Sequence, residues 1–174
     1  MSPIPSTDRI ERSILIKAPR SRVWRALANA EEFGGWFGVA LTGHDFAPGK
    51  RITAPITIEG FRHVMFDVVI ERMEPEKLLS YRWHPYAVDP KIDYSKEERT
   101  LVTFSLQDTA EGTLLTVVES GFDKVPPERR MEAFRATRTE LTTRLRPFIE
   151  IARRAAGFLP AVAGPEPRSA GAPA

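Results

Sequence analysis

The stretch Thr113-Leu114-Leu115-Thr116-Val117-Val118-Glu119-Ser120-Gly121-Phe122 decides how this chain is read. Leu114 to Ser120 is a strand by its β-branched content and its alternation, and Leu115, Val117 and Glu119 fall on one face of it. That face should point to a core or a cavity. A carboxylate there is partly desolvated, and its pKa rises unless a cation or a hydrogen-bond donor meets it. After the strand come Gly121-Phe122 and then Pro126-Pro127, which opens a long helical pattern.

Upstream, the same period of two recurs. Asp108 to Gly112 reads as a turn, and Arg99 to Gln107 as a strand with Val102, Phe104 and Leu106 on one face. Leu78 to His84 is a strand in which Leu79, Tyr81 and Trp83 share a face, entered through the turn Glu74-Pro75-Glu76-Lys77. Lys50 to Ile58 and Phe61 to Met73 are two strands, with Glu59-Gly60 as a tight hairpin turn between them. The first strand is Ile10 to Ala18, with Ile10, Arg12, Ile14 and Ile16 on one face. Pro19 suits the first position of a helix carrying Val23, Trp24 and Leu27. Asn29 and Glu32 have the spacing of a capping box for a second helix, kept short by Gly34-Gly35, with Phe33, Trp36 and Phe37 as its buried side.

Two segments resist the strand pattern. His84 to Glu98 is a long connection with Pro85, Pro90, Tyr86 and Tyr94. Loops longer than about 12 residues are uncommon and often functional, so this one is either a cap on one end of a cavity or a surface loop held by its tyrosines. In the last helix, Met131, Phe134, Leu141, Leu145, Phe148, Ile149 and Ala152 make an amphipathic stripe. Pro147 interrupts it at a cost of about 3 kcal/mol, so a kink near Arg146, or an end and a restart, is expected.

Composition sets the limits. The chain has 174 residues, 42% of them apolar, with 25 basic and 23 acidic residues and a net charge of +2. That near balance argues against a dedicated nucleic-acid surface. With no cysteine, disulfides, thiolate-held clusters and a Cys nucleophile are excluded. No run approaches the roughly 20 apolar residues that cross a bilayer, and Met1 to Arg12 lacks the apolar core of a secretion signal. A cytoplasmic protein is expected, with a flexible lead-in over 1–9, one domain over 10–156 and a disordered Ala/Pro/Gly-rich tail over 157–174.

Several marks in fixed order carry a resemblance. They are Ala18-Pro19 with Val23-Trp24, Trp36-Phe37-Gly38, Pro75 with Leu79-Ser80-Tyr81-Arg82-Trp83, and the run from Thr113 to Phe122. Together they resemble the START-like (SRPBCC) superfamily over about Ile10 to Arg153, and within it a single-domain member of the family of homologues of the activator of the 90-kDa heat-shock-protein ATPase. The resemblance implies an α+β helix-grip fold. In it, a curved antiparallel sheet of six or seven strands surrounds a long C-terminal helix, with two short helices after the first strand. It also implies a cavity between sheet and helix. Where family members often carry Gly-Trp in the last helix, this chain has Glu140-Leu141. Either a larger cavity follows, or Phe148 repacks into the gap.

The expected cavity lining is Trp36, Phe37, Phe66, Tyr81, Trp83, Phe104, Val117, Glu119, Phe122 and Leu141. Apolar pockets with a few polar groups suit a small apolar or amphipathic ligand, with Glu119 and Arg82 to orient it. The plainer role for any single ring is core packing. For Glu119 the plainer role is a strand-end carboxylate paired with Arg82 or another arginine. A cyclase- or hydrolase-like enzyme with Glu119 and His84 as acid and base is the alternative, and requires both to reach one pocket. A chaperone activator is a further alternative. The resemblance implies an additional N-terminal domain for it, and here the first strand begins at Ile10. His44, His63 and His84 show no metal-ligand spacing, and neither a phosphate loop, a dinucleotide fingerprint nor a nucleophile elbow occurs, so no metal or cofactor is expected. A homodimer is compatible with an exposed sheet edge.

Overall fold

The computed structural model describes residues 8–155. The lead-in before residue 8 and the tail from 157 lie outside the described residues. Six strands, β1 (Arg9–Ile16), β2 (Arg51–Pro55), β3 (Met65–Glu74), β4 (Leu78–Trp83), β5 (Thr100–Thr109) and β6 (Gly112–Ser120), form one antiparallel sheet in the order β1-β6-β5-β4-β3-β2. Helices α1 (Arg20–Ala28) and α2 (Ala30–Phe37) follow β1, and α3 (Pro127–Ala155) closes the chain. This is the α+β helix-grip fold: a curved sheet holding a C-terminal helix. A register shift between Ile70 and Arg72 marks a bulge in β3, a device that bends and twists a strand.

The register places the rings. Val68 lies opposite Trp83, which lies opposite Thr100; Ile70 lies opposite Tyr81, which lies opposite Val102 and then Glu119 and Ile10. Leu79, Phe104 and Val117 form the next row. Because strand side chains alternate, all of these share the inner face and Arg82 is on the other. On that inner face α2 supplies an aromatic cluster: the Phe33 ring lies 4.6–6.3 Å from those of Trp36, Phe37, Phe46, Phe66 and Tyr81. Trp36 Nε1 donates to the Ala26 carbonyl at 2.9 Å, tying α2 to α1.

Local signals explain the helix boundaries. The Asn29 side chain accepts from the Glu32 amide at 3.0 Å, the capping expected from the spacing. Gly38 ends α2 with φ 92°, a left-handed value that costs glycine little. Gly34 is required for another reason: a Cβ there would stand 2.4 Å from the Val39 carbonyl, where the chain folds back on α2.

Four boundaries differ from expectation. Pro19 caps α1 from outside, with ψ 150°, and Arg20 is the first helical residue. The β2–β3 hairpin is wider than a Glu59-Gly60 turn: past Pro55 the Ile56 amide still donates to Val64 O, while the Thr57 amide donates to Gly38 O and Ile56 bridges to Val39. The β5–β6 turn is tighter than expected, reduced to Ala110-Glu111 and held by Thr109 Oγ1 on Gly112 O. Helix α3 runs unbroken through Pro147, so no end and restart occurs there. Its buried line is Ala133, Thr137, Leu145 and Phe148, whereas Met131 is 49% exposed.

Candidate functional site

Glu119 ends β6 on the inner face and is 1% exposed. Trp83 Nε1 donates to its Oε1 at 2.8 Å, and Thr100 Oγ1 donates to the same oxygen at 2.7 Å. Among the described residues no donor reaches Oε2 and no cation pairs with this carboxylate. Burial pushes its pKa up to about 7. The Thr100 and Trp83 hydrogen bonds offset part of that rise, and the Glu140 charge adds to it. The expected pairing with Arg82 does not form: Arg82 is on the opposite face and its Nε donates to Glu71 at 3.1 Å. The period of two that groups Tyr81 with Trp83 also forces this result.

Two spaces adjoin these rings. The inner one lies between sheet and α3 and is lined by Trp36, Phe37, Tyr81, Trp83, Val102, Phe104, Glu119, Thr137, Glu140, Leu141 and Leu145. Its volume is about 30 Å³, enough for one or two waters. It is the smaller of the two spaces. The fully buried Phe148 ring stands edge-on to Trp36 at a centroid distance of 4.9 Å. The outer space is a cleft of about 740 Å³ at the ends of β3 and β4, roofed by the 84–98 connection. Phe37, Trp83 and Glu140 line both spaces and form the partition between them. The Phe37 and Trp83 rings meet edge-to-face at 5.9 Å.

The expected lining residues therefore divide. Trp36, Phe37, Tyr81, Trp83, Phe104, Glu119 and Leu141 border the inner space, and Phe66 borders the outer cleft with Phe37 and Trp83. Val117 is fully buried in the main core and lines neither space. Phe122 lines neither: it packs with Ile10, Val125 and Ala133 in a separate cluster, 5.3 Å from the Phe134 ring. Thr100 and Glu140 were missed as site residues. Thr100 has the parity of Val102 and Phe104, so its face was legible; Glu140 was visible as the departure from Gly-Trp, without a sign of which way it faced.

His84 does not join Glu119. It borders the outer cleft, with Nε2 2.9 Å from the Glu97 carbonyl oxygen, and burial lowers its pKa below the usual value. Glu119 borders the inner space. The two groups do not share a pocket, so the acid–base pair posed from sequence is not assembled. Among the described residues no group of three or more His, Asp or Glu is placed to hold a metal ion, and no helix is long and apolar enough to cross a membrane.

The roof of the cleft is fastened by one arginine. Arg129, in the first turns of α3, donates from Nε to both carboxylate oxygens of Glu97 at 2.9 Å and from an Nη atom to the Pro85 carbonyl at 2.7 Å. Its guanidinium lies 4.8 Å from the centre of the Tyr94 ring. The pair is nearly buried, with side chains 11% and 12% exposed. On the far side of the loop the His63 ring meets the Val88 carbonyl at 3.2 Å, so the connection is anchored at both flanks. Three of the exposed large apolar side chains, Phe61, Met65 and Ile92 at 38%, 53% and 46%, line this same cleft.

A curved sheet, a gripping helix and a cleft of mixed polar and apolar lining at the strand ends define a START-like helix-grip protein. The chain belongs to the family described as Activator of Hsp90 ATPase homolog 1-like protein, whose pattern matches residues 17–147. No curated protein matches it. Among solved structures it is similar to protein MLL2253 from Mesorhizobium loti, at 26% identity and a TM-score of 0.64, covering 84% of this chain and 97% of that one. It also resembles protein NE0264 from Nitrosomonas europaea, at 18% identity and a TM-score of 0.65, covering 88% and 99%. A protein from Arthrobacter aurescens matches at 14% identity and a TM-score of 0.65, covering 90% and 92%. The last two likenesses are of fold alone.

Proposed function

We propose that this protein binds a small amphipathic ligand, received in the cleft beneath the 84–98 connection and abutting the Phe37–Trp83 partition. The observation that carries the reading is the coincidence of cleft and apolar exposure: about 740 Å³ of space, with Phe61, Met65 and Ile92 turned toward it. Binding sites for small molecules fall in the range of about 300–1,000 Å³ and combine apolar walls with a few polar groups. Here the polar groups are abundant at the rim, where Arg51 and Arg99 pair with Asp67 and Arg129 pairs with Glu97. An apolar tail on the walls with a polar portion toward the rim or the partition fits that distribution.

A thermal-shift screen against single-chain amphiphiles of graded length is the test. A ligand at 100 times its dissociation constant adds about 2.7 kcal/mol to stability. Stabilisation that disappears in Met65→Asp, which puts a charge on the wall without touching the core, supports the reading. A panel without any stabilising amphiphile refutes it.

A further inference from the structure

The inner space is small, lined by rings, and bordered by a carboxylate oxygen to which no donor comes among the described residues. Both of Glu119's donors, Trp83 Nε1 and Thr100 Oγ1, go to Oε1. Oε2 is left without a donor among the described residues, on a side chain that is 1% exposed and lines the space. The partner of that oxygen is then whatever occupies the space, a water or a ligand group. Among the described residues the other titratable groups that line the space are Glu140 from α3 and Tyr81 from β4, each with a partner of its own. Among the described residues no Lys, Arg or His lines the space.

We propose that the inner space is the head-group subsite for a primary ammonium, held on Glu119 Oε2 and surrounded by the rings of Trp36, Tyr81, Trp83 and Phe104. The proposal rests on the amphiphile-binding reading above and narrows it to amines. Size selects among cations: about 30 Å³ admits a head of the dimensions of water, and excludes a quaternary ammonium. Ring faces attract cations through their quadrupole, more strongly when water is excluded. A charge-assisted bond to a carboxylate is roughly twice as strong as a neutral one. A carboxylate or phosphate head would instead face the Glu119 carboxylate. The partition supplies the route: Phe37, Trp83 and Glu140 border both spaces, so an alkyl chain passing them reaches Phe61, Met65 and Ile92 in the cleft.

Proton bookkeeping gives the sharpest test. With a pKa of about 7, Glu119 is half protonated at pH 7, and an ammonium ion pair requires the ionised form. Binding octylamine should then release about half a proton at pH 7 and almost none at pH 8.5. Calorimetry in buffers of different ionisation enthalpy reads that number on the unaltered protein. Octylamine, octanol and octanoate are compared in parallel. The expected result is octylamine tightest by about tenfold, with the margin lost in Glu119→Gln. Octanol or octanoate binding as tightly as the amine, absence of proton release, or an unchanged amine preference in Glu119→Gln overturns the ammonium subsite and leaves the amphiphile reading standing. If none of the three binds, both fall.

Discussion

Replacing Glu119 by glutamine keeps the shape of the side chain and its acceptor for Trp83 and Thr100, and removes its charge. The carboxyl is raised from 4.5 to about 7 in the folded protein, mainly by burial. At about 1.4 kcal/mol for each pH unit between those values, ionising it inside the fold costs about 3 kcal/mol. The sign is fixed by proton binding. The folded state holds this proton more tightly than the unfolded chain, so the group's contribution is fully present below about pH 4.5 and is lost as pH rises through 7. Glutamine has no such dependence. The stability of Glu119→Gln relative to the parent should therefore increase by about 3 kcal/mol between pH 4 and pH 8, whatever its offset at any one pH. Other titrating groups act on both proteins and cancel in the difference. With a urea m-value of about 2 kcal/mol/M, the gap between the two midpoints moves by about 1.5 M across that range. Matched urea titrations followed by tryptophan fluorescence measure it. Parallel pH profiles, with a constant gap between the proteins, would falsify the claim that Glu119 is buried without a compensating cation.

Other consequences follow from single contacts. Phe148→Ala removes a fully buried ring from the edge of Trp36, and should cost about 3–4 kcal/mol; a thermal midpoint lowered by only a degree or two would mean the site collapses freely. Arg129→Ala strips the nearly buried Glu97 of its partner, at a cost of about 3 kcal/mol, and should speed amide exchange through residues 85–97. Unaltered exchange there would show that the His63–Val88 contact suffices to hold the roof. Gly34→Ala places a Cβ 2.4 Å from the Val39 carbonyl, and denaturant titration should show a loss of about 2 kcal/mol or more, in spite of alanine's better helix propensity. Asn29→Ala loses the cap on the Glu32 amide, for which about 1 kcal/mol is expected from the same titration; no loss would mean that water replaces the side chain.

The periodic signals in the chain translate directly into structure because they are local. A strand's two faces and a helix's stripe follow from backbone geometry, so Leu79, Tyr81 and Trp83, or Leu115, Val117 and Glu119, were assignable without knowing their neighbours. The Asn29 cap is local in the same sense. Met131 and the Glu59-Gly60 turn were not legible. The helix face that is buried depends on how α3 lies across the sheet, and past Pro55 the Thr57 amide donates to Gly38 O, outside the hairpin.

By itself, then, the order of apolar residues determined the sheet, the short helices and the inward direction of Glu119. Tertiary structure alone decided what surrounds that carboxylate: that Thr100 and Trp83 share one of its oxygens, and that Glu140 lines the same space from α3. Partnership and free volume are properties of several segments at once. They arise from register and packing between residues far apart in the chain, and no window of sequence encodes them singly.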